Sequence, residues 1–128
     1  MSAMIEPLVI QATHDCPDVI LNKEMNCLEI SGKALPENPK EFFNPIVDWI
    51  KEYAKEPNDE TIISFKMEYI NSASQKKIHD IILICKEIHE RNNPVYIDWY
   101  YHPDDDGMKE EGETLSDLVK IPFRFFIY

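Results

Sequence analysis

Thr61-Ile62-Ile63-Ser64-Phe65-Lys66-Met67-Glu68-Tyr69-Ile70, then the polar run Asn71-Ser72-Ala73-Ser74-Gln75-Lys76-Lys77, then the apolar-rich segment Ile78 to Arg91: the fold turns on how these are read. In the first segment Ile63, Phe65, Met67 and Tyr69 alternate with Lys66 and Glu68, a two-residue period that predicts a strand from Thr61 to Ile70. In the last, Ile78, Ile81, Ile82, Cys85 and Ile88 recur at helical spacing, and Leu83 and Ile84 widen the stripe. This predicts a helix from Ile78 to Arg91, well buried against a sheet, with Asn71 to Lys77 as a polar turn before it. Asn92-Asn93-Pro94 ends the helix, and Val95, Ile97, Trp99 and Tyr101 alternate with Tyr96, Asp98 and Tyr100 as a further strand. A strand, a helix of ~15 residues and a strand form a right-handed βαβ unit with parallel strands.

On the N-terminal side, Leu8-Val9-Ile10 is a short first strand. Val19-Ile20-Leu21 and Leu28-Glu29-Ile30, joined across the polar stretch Asn22 to Asn26, form a β-hairpin at an edge of the sheet, with Ser31-Gly32 stopping the second run. Asn38 and Pro39 read as N-cap and first position of a helix. Phe42, Phe43, Ile46, Trp49, Ile50 and Tyr53 give that helix a core-facing stripe, and Pro45 predicts a kink or a later start. Pro57-Asn58-Asp59 closes it. On the C-terminal side, Met108, Leu115, Leu118 and Val119 mark a third helix interrupted by Gly112, and Phe123, Phe125 and Ile127 a closing strand. No repeat, low-complexity tract or long linker divides the chain. The expected fold class is α/β: one domain spanning residues 1–128, a small mixed sheet with about three helices packed on it.

The composition agrees with a packed globule: 44% hydrophobic and 11% aromatic over 128 residues. A net charge of −11 argues against nucleic acid and anionic membrane surfaces as partners and favours a protein with basic patches. No apolar run approaches ~18 residues, so no membrane insertion is expected. Met1 to Pro7 lacks the charged and apolar regions of a signal peptide. Cys16, Cys27 and Cys85 are an odd, widely spaced set, which suits reduced thiols in a cytoplasm, Cys85 being a small core residue.

The side chains bear on several chemistries. His102-Pro103-Asp104-Asp105-Asp106-Gly107 with Glu113 partly matches a calcium loop, so a cation-dependent binding module using residues 104–113 is one alternative. The competing reading is an acidic loop that caps the third helix with favourable charge. His14, Cys16, Cys27, His79, His89 and His102 show no paired zinc spacing, and no metal site is assigned. There is no Gly-x-Ser-x-Gly elbow and no nucleophile–base pair, so no catalytic residue is assigned, leaving a small enzyme of unknown activity as a further alternative. The polar run at Asn71 lacks the glycines of a phosphate-binding loop. Its serines, though, sit where a helix start exposes unpaired N–H groups and partial positive charge. Asn71 or Ser72 can cap the helix there, and a kinase can phosphorylate a hydroxyl at little cost to the fold.

Three groups of residues, taken together, resemble the SiaC family of bacterial regulatory phosphoproteins. They are Pro36-Glu37-Asn38 before a helix with Phe42-Phe43 and Trp49; Glu68-Tyr69-Ile70-Asn71-Ser72-Ala73-Ser74 with Lys76; and Trp99-Tyr100-Tyr101 followed by Asp104-Asp105-Asp106-Gly107-Met108 and Glu111-Gly112-Glu113. Pro122-Phe123 closes the match, which runs from about Pro7 to the C-terminus. The resemblance implies a STAS-like fold, similar to anti-sigma-factor antagonists, and a non-enzymatic signalling role without a cofactor. It puts the phosphoacceptor directly after the turn asparagine, on Ser72, with Ser74 as second choice. The family's acceptor is often threonine, and Ala73 stands where a hydroxyl is frequent. Tyr69, Asn71, Asp104, Asp105 and Asp106 are expected to supply recognition surface. The implied partners are a protein kinase and a PP2C-type phosphatase acting on Ser72, and an effector such as a diguanylate cyclase bound in the unphosphorylated state, all in a bacterial cytoplasm.

Overall fold

A computed structural model describes residues 5–128. The signal-peptide reading of Met1 to Pro7 falls largely outside that range. The described elements are β1 (Leu8–Ile10), β2 (Asp18–Asn22), β3 (Cys27–Ala34), α1 (Pro39–Lys55), β4 (Thr61–Ile70), α2 (Ser72–Glu90), β5 (Val95–Tyr101), α3 (Asp106–Val119) and β6 (Phe123–Ile127). All six strands lie in one sheet in the order of the chain, β1-β2-β3-β4-β5-β6. The first two pairings are antiparallel and the remaining three parallel. Each parallel step is crossed by one helix. Right-handed crossovers that all advance the same way put α1, α2 and α3 on one face, where α2 packs between the other two.

The core lies between that helical layer and the sheet. Ile30, Ile63, Phe65, Met67, Ile97 and Trp99 from the strands meet Phe43, Ile46, Ile50, Ile78, Ile81, Ile82 and Ile88 from the helices, all buried. Cys85 is buried among them, and loss of solvent around its thiol pushes the pKa up to about 12, so it is inert packing. Tyr53 is buried too, but its hydroxyl is partnered by Thr61 Oγ1 at 2.7 Å and accepts from the Asn58 N–H. Among the described residues the opposite face of the sheet carries no helix. It is covered by its own side chains: the Tyr100 and Phe126 rings stack at 5.0 Å, Lys66 lies over Tyr100, and Arg124 grips Asp98 with two hydrogen bonds of 2.7 and 3.0 Å.

Six local expectations are corrected. The helix after β4 begins at Ser72, six residues earlier than its apolar stripe, because the Asn71 side chain caps it by accepting from the Ser74 N–H at 2.8 Å. α1 starts at Pro39 and runs through the exposed Pro45 without ending. β3 passes through Gly32, which takes φ +112°, and continues to Ala34. At that point Gly32 pairs with Met67 but Lys33 with Tyr69, leaving Glu68 as an extra residue in β4. The bulge reverses the alternation, so Tyr69 faces solvent at 52% exposure and Ile70 enters the core. Leu83, expected to widen the apolar stripe of α2, is exposed. Gly112 does not interrupt α3: it is buried in mid-helix, where a Cβ would come within 2.5 Å of the Trp99 ring. The absent side chain lets the helix backbone lie on the indole, whose Nε1–H donates to the Met108 carbonyl at 2.9 Å.

Candidate functional site

The parallel half of the sheet brings three helix starts to one end of the molecule, each capped the same way. Asn38 accepts from the Glu41 N–H at 3.1 Å, Asn71 from the Ser74 N–H at 2.8 Å, and Asp105 from the Met108 N–H at 3.0 Å. The segments after β3 and β4 are tied together by the Asn71 N–H, which donates to the Ala34 carbonyl at 2.9 Å. This is the end of a parallel sheet where α/β proteins place their functional groups, because unpaired helix N–H groups and loop side chains collect there.

Ser72 is the first residue of α2, and its side chain is exposed. It opens onto a crevice of about 740 Å³ between the starts of α1 and α2, lined by Asn38, Pro39, Lys40, Ser72, Ala73, Lys76, Lys77, His79 and Asp80. Lys76 stands one helical turn after Ser72 on the same face, and Lys40 approaches from α1. Among the described residues none of these three lysines forms an ion pair within the chain. Two helix N-termini and three free ammonium groups therefore make this hollow locally cationic in a chain of net charge −11. Ser74, the second candidate, is corrected by its burial: it is 0% exposed, and its hydroxyl lies inside the fold without a hydrogen-bond partner. Ser72 is open to solvent and Ser74 is not.

Tyr69 projects beside this site because of the bulge, and Asn71 supplies the cap. Asp104 and Asp106 are exposed at the start of the neighbouring crossover, and Asp105 is the cap of α3. The calcium-loop alternative fails on this geometry. Asp106 and Glu113 are both helical, about 10 Å apart along the axis at 1.5 Å per residue, while calcium needs its oxygens within ~2.6 Å. Among the described residues no three His, Cys, Asp or Glu side chains converge where a metal ion could sit.

A second, smaller groove of about 470 Å³ lies between α2 and α3 and shares Lys76 and His79 with the crevice. Glu111 lines it, and burial pushes its pKa up, opposed by a hydrogen bond with Gln75. Lys40, Lys77, His79 and Glu111 join the site only through the fold. The signal is present in part: two parallel crossovers side by side put the two residues after the Asn38 cap and those after the Asn71 cap on one hollow. His79 shares the crevice with Ser72, but among the described residues the two make no hydrogen bond, so no activated nucleophile is assembled there.

Residues 10–128 match the family model described as SiaC family regulatory phosphoprotein. An uncharacterized protein of Pseudomonas aeruginosa strain UCBPP-PA14 is 25% identical over 116 residues, 91% of this chain and 92% of the relative. Apo-SiaC from Pseudomonas aeruginosa superposes with a TM-score of 0.88 at 24% identity, covering 95% of this chain and 99% of that one. A chain from the complex of the diguanylate cyclase SiaD with its activator SiaC, also from Pseudomonas aeruginosa, superposes with a TM-score of 0.87 at 24% identity, covering 94% and 99%. The fold described above is that of these structures.

Proposed function

We propose a phosphorylation-controlled partner switch for this chain, which belongs to the SiaC family of regulatory phosphoproteins. The acceptor is Ser72. The observation that carries this reading is the exposed Ser72 hydroxyl, at the first position of α2, opening onto a hollow with free lysines. A kinase would join the Ser72 Oγ to the terminal phosphorus of ATP, with release of ADP and of the hydroxyl proton. A phosphatase of the PP2C type would return the hydroxyl by hydrolysis to inorganic phosphate. A phosphoryl group there adds about −1.5 to −2 of charge. It stands at a helix start, where the fold tolerates it, and on a surface with Tyr69 and Asp104 to Asp106 at hand for recognition.

The protein acts through binding rather than catalysis. The effector is a protein bound in the unphosphorylated state; the SiaD–SiaC complex makes a diguanylate cyclase the first one to test. A cytoplasmic setting suits the three free cysteines, and among the described residues no helix is long and apolar enough to cross a membrane.

Intact-mass analysis after incubation with the cognate kinase should add one phosphate to the wild type and none to Ser72→Ala. Full uptake by Ser72→Ala would overturn the assignment. Ser72→Asp should bind the effector at least tenfold more weakly than Ser72→Ala, a difference of ~1.4 kcal/mol. Equal affinities would count against the switch.

A further inference from the structure

We propose that a phosphoryl group on Ser72 is captured by the chain's own crevice, paired with Lys76 of the same helix and Lys40 of α1, so that phosphorylation fills a cationic hollow from within. The proposal rests on Ser72 being the acceptor and adds what becomes of the phosphate once it is there. The crevice is lined by three lysines against one aspartate, a formal charge of +2, and a phosphoryl group of about −2 brings that to zero. Lys40, Lys76 and Lys77 are uncommitted among the described residues, so no existing ion pair has to break. The other charged or titratable groups facing the hollow are His79 and Asp80 on α2. Glu41 stands near the mouth on α1, its carboxylate already bonded to the Asn38 side chain at 3.2 Å.

The geometry favours capture over projection into solvent. Ser72 and Lys76 are one turn apart on one helical face, the spacing at which opposite charges meet on a helix. Lys40 stands across the crevice on a separate helix, so a phosphate between them bridges α1 and α2. An effector that docks an acidic group into this hollow would then meet a site already occupied. The switch would work by internal competition as well as by repulsion.

The test installs phosphoserine at position 72 by genetic encoding, which needs no kinase. The second ionisation of the phosphate, ordinarily near ~6, is followed by phosphorus NMR in the folded protein and in the same protein unfolded in urea. Capture predicts a folded value lower by about half a unit, with Lys40→Gln and Lys76→Gln each returning part of the difference. A value that is lowered but unmoved by either lysine substitution would assign the effect to the helix start alone and overturn the proposal. Equal folded and unfolded values would overturn it as well. Failure here differs from failure of the site assignment, which the kinase labelling of Ser72→Ala reads separately.

Discussion

At the residue scale the site is a matter of where hydroxyls and carboxyls point. Ser72 and Ser74 are two positions apart, yet a helix turns about 200° between them, so one faces solvent and the other the core. Sequence spacing alone left both as candidates, and burial separates them. Near this surface, burial raises the pKa of Glu111 above the ordinary 4.5. The folded state therefore holds the Glu111 proton more tightly than the unfolded chain. Its contribution to stability is fully present below the unfolded pKa and is lost as pH rises through the raised folded value. Glu111→Gln keeps the shape and a hydrogen-bonding partner for Gln75 but cannot ionise. It should raise the thermal midpoint at pH 7 relative to wild type, with the gain vanishing below about pH 4. Parallel melting curves across that range check it, and a gain independent of pH would contradict the burial argument.

At the scale of elements, the clearest dependence is of α3 on a missing side chain. Gly112→Ala would improve local helix propensity by ~1 kcal/mol. It would also drive a methyl group to within 2.5 Å of the Trp99 ring, in a core that has no slack to receive it. Overpacking should win, with a net loss of roughly 1–3 kcal/mol in urea unfolding and a shift in Trp99 fluorescence. A stabilised Gly112→Ala protein would mean that α3 lifts off the indole easily. The strands and the three helices were legible from apolar period and capping residues. Gly112 looks like a break because sequence shows a glycine's weakness in a helix but not the ring across from it. The start of α2 is hidden in the sequence for a similar reason. Asn71 to Lys77 contains no large apolar residue, so periodicity is silent there, and only the cap geometry marks the first turn. Alternation alone points Tyr69 inward, because the extra residue Glu68 becomes visible only when β4 is paired with β3. The basic lining of the crevice needed two crossovers brought together. Lys40 is more than thirty positions from Ser72, and no local pattern links them.

At the scale of the molecule, the sheet has a protected middle and two modest margins. β4 and β5 are paired on both sides and lie under the helices, whereas β1 is three residues long and β6 is largely exposed. Amide hydrogen exchange should therefore be slowest in β4 and β5 and fastest in β1 and β6, spanning the range from global unfolding to local fraying. Uniform protection across all six strands would contradict that ordering. The strand order has a further consequence, in time rather than in space. Because every strand lies beside its predecessor in the chain, the sheet can be laid down one strand at a time as the chain leaves the ribosome. No finished pair has to reopen to admit a latecomer, and each loop closure spans a single crossover, a modest entropic demand. The helix that carries Ser72 is followed in the chain by β5, the next strand beside β4, so the end of the sheet that bears Ser72 needs no strand from farther along to take shape.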